Sequence, residues 1–290
     1  MKLSRQQAVS AMVLTTLMWS TAGVVTRHLE SARSFEVTFW RSFFTVLSLL
    51  VILPLWRGRT AWAVFRQGHA ALWWSGLCWS SMFTAFMLAL TMTSVASVLV
   101  ISSLGPLFTA LIARVFLRQR IAWHTWLAIA LAGVGMVWMF GAQAAGANWL
   151  GSLVAVFVPL TAAINWAVVQ HAHARGEDID LVPSVLIGAV ISSAAMLPLA
   201  LPLQATAHDL GLLALLGLVQ LAIPCVLLVL CARVLKAPEV SLLAQLEVLF
   251  GILLVWVGAG EAPGSAVLQG GALVLAALIA NEFLVWKLKK

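Results

Sequence analysis

Apolar runs of about twenty residues, divided by short gaps rich in charges and helix breakers, recur from one end of the chain to the other. Crossing about 30 Å of hydrocarbon takes roughly 20 apolar residues as a helix, and about ten stretches reach that length. They are about 8–27, 35–54, 70–91, 94–114, 123–141, 149–170, 181–201, 210–232, 238–258 and 266–286. Breaks fall at Arg57-Gly58-Arg59, Arg118-Gln119-Arg120, Gly176-Glu177-Asp178 and Lys236-Ala237-Pro238, where charge and backbone breakers coincide. Between the third and fourth stretches only length argues for a break, near Met92-Thr93, since 70–114 is too long for one span. The pattern predicts an all-α integral membrane protein of about ten transmembrane helices. The first run follows Lys2 and Arg5 and imitates a signal peptide, but it is long and leads straight into further spans. It is expected to be a retained helix.

Charge then orients the spans. With an inner N-terminus, one side receives Lys2, Arg5, Arg57, Arg59, Arg66, Arg114, Arg118, Arg120, Arg175, Arg233, Lys236, Lys287, Lys289 and Lys290. The other receives Arg27 and Arg33, while Arg41 lies within a span. Cytoplasmic loops carry the excess of Lys and Arg, so both termini are expected in the cytoplasm of a bacterial inner membrane. Composition agrees: of 290 residues, 62% are hydrophobic and 9% charged, against about 25% charged in soluble domains. The 14 Trp, with no Tyr, suit the headgroup region. A net charge of +7 raises nucleic acid as a partner. The cations sit in scattered gaps rather than on one face, which excludes it. Cys78, Cys225 and Cys231 lie inside apolar runs and are expected to be packing residues, with no disulfide framework or metal motif. No metal or other cofactor is expected.

Sliding the chain on itself by 142 residues superposes 95–140 on 237–282: Val98 meets Val240, Leu104 meets Leu246, Leu107-Phe108 meets Leu249-Phe250, Gln119 meets Glu261, Ala128 meets Gly270 and Gly135 meets Ala277. Upstream the register shifts, and Trp19 corresponds to Trp166. The expected organisation is two five-helix repeats, 1–145 and 146–290. An odd number of spans inverts the second, a common transporter plan with the solute site between the halves.

Several stretches carry a resemblance: Leu17-Met18-Trp19-Ser20, Phe39-Trp40-Arg41, Leu104-Gly105-Pro106-Leu107-Phe108, Leu246-Glu247-Val248-Leu249-Phe250 with Gly260-Glu261, and the small-residue runs from Ala128 to Gly135 and from Gly270 to Ala277. Together they resemble the drug/metabolite transporter superfamily in its EamA-like ten-helix branch, over essentially the whole chain. The resemblance implies a metabolite carrier and favours export. The chain departs from the family at Gln119, where an acid is common, and at Val248, where a proline is common. The second departure predicts a ninth span straighter than is usual in the family.

Ionisable groups cost about 2.5–3.5 kcal/mol at a helix centre, so each in-span example needs a partner or a polar cavity. Thr38, Arg41, Thr45 and Ser48 share one stripe of the second span. Arg41 either lines a cavity for an anionic group or ties helix ends together. Glu247 lies mid-span in the ninth helix beside small residues, Arg41 being its obvious partner. A carboxyl so placed either carries a coupling proton or forms a structural pair. Trp19, Trp79, Asn165, Trp166 and Gln245 complete the candidate solute site; Gln220, Ser102 and Ser103 are weaker candidates. Ser184, Gly188 and Ser192, at four-residue spacing, read as a packing seam. His171 and His173 fall at a cytoplasmic helix end and lack further metal ligands nearby.

These observations point to a secondary transporter moving small organic metabolites, amino acids or amphipathic compounds, by alternating access. The partners expected are a small-molecule solute, the lipid bilayer and protons as coupling ion. The absence of a phosphate-binding Gly-Lys-Ser/Thr loop excludes ATP use by this chain. The rival is a membrane-embedded enzyme acting on lipid or prenyl substrates, which needs clustered acids, a His-rich metal set or a nucleophile triad. None is present. A pore is disfavoured because no filter-like segment or charged ring is visible.

Overall fold

The computed structural model describes residues 3–26, 28–32, 34–58, 62–66, 68–93, 98, 101–102, 104–118, 120–144, 148–175, 180–259 and 264–287. The breaks at Arg59 and at Gly176-Glu177-Asp178, the departure at Gln119, the Gly260-Glu261 pair, and Arg27, Arg33 and Ser103 lie outside the described residues. The described residues form helices and no strand: α1 (Arg5–Thr26), α2 (Ser34–Arg57), a short α3 (Ala63–Arg66), α4 (Ala70–Met92), α5 (Gly105–Val115), α6 (Trp123–Ala144), α7 (Trp149–Ala174), α8 (Pro183–Ala200), α9 (Ala207–Leu215), a π-helical turn (Leu216–Ala222), α10 (Ile223–Cys231), α11 (Ala237–Ala244), α12 (Leu246–Ala259) and α13 (Ser265–Lys287). Among the described residues, four stretches are long and apolar enough to cross a membrane: Phe35–Trp56, Trp149–Ala172, Pro183–Ala200 and Ala207–Cys231.

The core is apolar, but large apolar side chains also cover the outside, unlike in a water-soluble protein. Leu55, Val115, Phe116, Val257 and Ile279 face outward, as do Trp74, Trp123 and Trp149 near helix starts. Thr15, Thr38, Ser42, Thr45, Ser75, Asn165, Ser184 and Ser192 are fully buried. Lipid accepts apolar side chains without cost, so polar groups gather where helices can satisfy one another.

Helix α1 packs against α10, the π turn, α11 and α12; α7 packs against α4, α5 and α11. Helix α8 packs on α2 and α4, and the π turn packs on α2. Helices α6 and α13 pair at the side of the bundle. Their crossing is close because glycines meet there: a Cβ on Gly135 would lie 2.8 Å from the Gly270 carbonyl oxygen, and one on Gly270 would lie 2.5 Å from that of Gly135. The expected α8 seam is present. Ser192 accepts hydrogen bonds from Ser42 (3.2 Å) and Thr84 (3.3 Å), and a Cβ on Gly188 would collide with the Cβ of Trp79.

The ends of the bundle are tied differently. At one end the loops around 28–32 and 201–206 meet the starts of α9 and α2 through carboxylate–backbone hydrogen bonds. At the other, Arg5 pairs with Glu239 (3.5 Å) and Arg233 with Asp180 (3.2 Å), and the Gln170 amide donates to the Leu235 carbonyl (3.1 Å).

Two local features follow from single residues. Pro224 has no N–H and its ring crowds the carbonyl four residues back, so the α pattern cannot run through it unchanged. The helix widens over Leu216–Ala222, where the Ile223 N–H reaches the Leu218 carbonyl. The ninth expected span is interrupted rather than continuous. It breaks at Gln245, whose N–H bonds Leu242 while its carbonyl accepts from Val248 (3.0 and 3.2 Å). These three-residue steps tighten the backbone, and Glu247 follows directly.

Candidate functional site

Two groups of polar and aromatic side chains lie within the bundle. The first is built by α1, α2, α10 and α12. Arg41 is 5% exposed, and its Nε has no protein hydrogen-bond partner. The Thr45 hydroxyl donates to the Arg41 carbonyl (2.8 Å) and approaches the Gly217 carbonyl of the π turn (3.1 Å). That seats α2 against the turn, where a Cβ on Gly217 would lie 2.6 Å from the Cβ of Phe44. From α10, the Cys225 thiol lies within electrostatic reach of Arg41 and Glu247 and close to the Trp19 indole. Arg41 and Glu247 act on each other electrostatically. Trp19 and Glu247 are only half-buried although both lie well inside the bundle. Gln220, on the π turn, is buried with its Oε1 unpartnered.

The second group joins α4, α7 and α8. Trp79 and Trp166 meet edge to face with ring centroids 5.8 Å apart. Ser75 lies 2.6 Å from the Asn165 side-chain oxygen and 2.8 Å from the Ser184 hydroxyl, which itself donates to the Leu181 carbonyl (2.6 Å). Three contacts share two hydroxyl hydrogens. With the Asn165 amide turned about, its NH2 donates to Ser75, Ser75 to Ser184 and Ser184 to Leu181, each once. One end of the fully buried Asn165 amide is unpartnered in either setting, and the Trp79 indole N–H has no protein partner.

Of the residues singled out in the sequence, Trp19, Arg41 and Glu247 come together in the first group, and Trp79, Asn165 and Trp166 in the second. Thr38 is fully buried one turn before Arg41 on the same stripe, and Gln245 is buried at the helix break two residues before Glu247. His171 is exposed at the end of α7. Cys225 is fully buried in the apolar core, as expected of a packing residue, and its thiol also lies within electrostatic reach of Arg41 and Glu247, a proximity no sequence pattern announces. Ser75 was missed because an isolated serine in an apolar run carries no pattern.

The arrangement offers a guanidinium, a carboxylate, indole faces and unpaired amide and indole hydrogen-bonding groups. It contains no nucleophile–base pair with an orienting acid among the described residues. The profile of the EamA-like transporter family matches residues 6–141. S-adenosylmethionine uptake transporters of three bacteria are similar to the chain. That of Rickettsia conorii is 26% identical over 96% of this chain and 92% of its own length. That of Rickettsia bellii is 27% identical over 96% and 93%. That of Rickettsia prowazekii is 28% identical over 63% and 61%, so the chain spans about three fifths of that relative. A crystal structure of a protein 18% identical in sequence superposes with a TM-score of 0.75 over 99% of this chain and 100% of the other. The bundle is therefore a known fold.

Proposed function

We propose that the chain is a member of the EamA-like transporter family, whose profile matches its residues 6–141, and that it is a secondary carrier for a small zwitterionic metabolite, working by alternating access. It is a membrane transporter and not an enzyme. The observation that carries the reading is the meeting of Arg41, Glu247, Trp19 and Cys225 inside the bundle. A guanidinium suits a carboxylate and Glu247 suits a cationic centre, while aromatic faces attract cations and flat rings. The second group then supplies a subsite for the less polar part of the solute, with Trp79 and Trp166 as walls and Asn165 as a hydrogen-bonding contact. Thr38 and Gln245 border the first group. S-adenosylmethionine carries an amino-acid head, a sulfonium cation and a purine. The names of the relatives make it the first solute to test.

The helices are read as two inverted repeats, 1–145 and 146–290, giving ten spans. Packing supports this. Exchanging each span for its counterpart five positions on turns the α4–α7 contact into that of α10 with α1, and α5–α7 into α12–α1. It turns α4–α8 into the π turn on α2. The α2–α8 and α6–α13 pairs map onto themselves. The cation bias supports cytoplasmic termini in a bacterial inner membrane, with the α1–α2 end of the bundle outermost. Glu247 is proposed as the proton-coupling group. Export, which the family resemblance favoured, and uptake, which the relatives' names carry, are two directions of one cycle. The gradient imposed decides between them.

Proteoliposomes containing the purified protein provide the test. Labelled S-adenosylmethionine should enter and exchange, and amino acids should compete according to their fit to the Arg41–Glu247 pair. Exchange of neither would sink the zwitterion reading.

A further inference from the structure

Two buried carboxylates hold the α1–α2 end of the bundle shut. Glu36, 1% exposed at the start of α2, accepts through one oxygen from the backbone N–H groups of Gln204 and Ala205, both 2.8 Å, and from the Trp40 indole at 3.3 Å. Asp209, fully buried in the first turn of α9, accepts from the backbone N–H groups of Glu30 (2.8 Å), Ser31 (3.0 Å), Ala32 (3.2 Å) and Thr206 (3.3 Å). Each acid comes from one half of the chain and grips a loop of the other. The Glu30 carboxylate also receives the Thr206 hydroxyl at 3.4 Å.

We propose that this reciprocal pair of latches is the outer gate, and that the described arrangement is the outward-closed state. The bonds suit a gate because they join carboxylates to loop N–H groups at the bundle's edge. On opening, water takes over both partners, so the exchange is reversible. A permanent seam in this protein looks different: at α4–α8 and α6–α13 backbones meet through glycines, with no room for water. The opposite end is also tied between halves, by the Arg5–Glu239 pair at 3.5 Å with Glu239 buried, and by the Cys231 thiol donating to the Ala8 carbonyl at 3.3 Å. Which end is outer rests on the orientation proposed above.

Thiol labelling tests the gate without any solute. Thr38→Cys lies fully buried between the latches and Arg41 and serves as reporter for a membrane-impermeant maleimide. In oriented vesicles it should react slowly from the outside in the otherwise native protein. Glu36→Gln with Asp209→Asn should accelerate that reaction about ten-fold or more, since a charged acceptor holds the loop N–H groups more tightly than a neutral amide does. A second variant removes any dependence on those substitutions folding well. Glu30→Cys and Thr206→Cys, joined by a short cleavable bis-thiol reagent before maleimide is added, should suppress outside labelling of Thr38→Cys, and cleavage should restore it. Unchanged outside labelling in the cross-linked protein would make the latches fixed scaffold and overturn the proposal. Labelling that responds only from the inner side would leave the latch intact as a gate but reverse the orientation.

Discussion

Gly188→Ala adds one methyl group where α8 crosses α4. The new carbon would lie 3.0 Å from the Ser80 nitrogen and 3.1 Å from the Gly76 carbonyl oxygen, and closer still to the Cβ of Trp79. Carbon contacts are comfortable at about 3.5–4.0 Å, so the helices must separate by something near an ångström. All three obstructing atoms are backbone or fixed to it, and no side chain can swing clear. Overpacking of this kind costs about 1–3 kcal/mol, and rigid neighbours place it near the upper figure. Alanine returns about 1 kcal/mol of helix propensity. The net loss is then about 2 kcal/mol, or roughly 4–8 °C in melting temperature by the scaling for large domains. Gly133 lies in α6 with nothing within 4 Å of its added Cβ, so Gly133→Ala should be neutral or stabilising. Heating purified protein in detergent and following the monodisperse fraction reads both. Trp79 moves with α4, so its edge-to-face contact with Trp166 should loosen and solute exchange should fall in Gly188→Ala alone. A Gly188→Ala protein as stable as the parent, with Gly133→Ala the weaker of the two, would refute the crossing geometry.

Three further outcomes are expected. Arg41→Ala and Glu247→Ala should each lower the melting temperature, Glu247→Ala the more because it leaves the buried Arg41 guanidinium unmatched while Glu247 is only half-buried; the double variant should recover part of that loss in a thermal cycle yet bind no solute, and simple additivity would deny the coupling. Glu247→Gln should retain exchange but lose accumulation driven by an imposed pH difference across proteoliposomes; retained accumulation would remove Glu247 as the coupling group. Arg66→Cys should label only from the cytoplasm and Gln204→Cys only from outside, both being exposed side chains, and the converse would invert the chain.

The sequence told most where physics leaves one option. A run such as 149–170 can only be helix in lipid, and the observed helix covers Trp149–Ala174. Arg41 and Glu247 stood out because charge in an apolar span is costly, and they lie within electrostatic reach of each other. What stayed hidden depends on the azimuth of one helix against another. Nothing in a linear pattern says that Ser75 faces Asn165, or that Cys225 faces Trp19, because a serine or cysteine in an apolar run is equally at home against lipid. Glu36 and Asp209 were overlooked for a different reason. Acids at helix starts are ordinary there, and their partners are loop N–H groups far away in sequence. The break at Gln245 is not announced by a proline, which is only one of several ways to interrupt a helix.

The π turn has a genetic corollary. Each residue of an α-helix turns the chain by about 100°, and a π turn absorbs one residue more than an α turn would. Everything beyond Ala222, Cys225 included, thus sits about one residue's rotation away from where an unbroken helix through Ala207–Leu215 would carry it. Deleting a single codon within Leu216–Ala222 would let the turn close as ordinary α-helix, with Cys225 and everything beyond it keeping their present facing. The turn therefore marks a place where the gene can lose one codon without re-facing the carrier's interior, whereas the same loss from a helix with no such turn would rotate everything beyond it by about 100°.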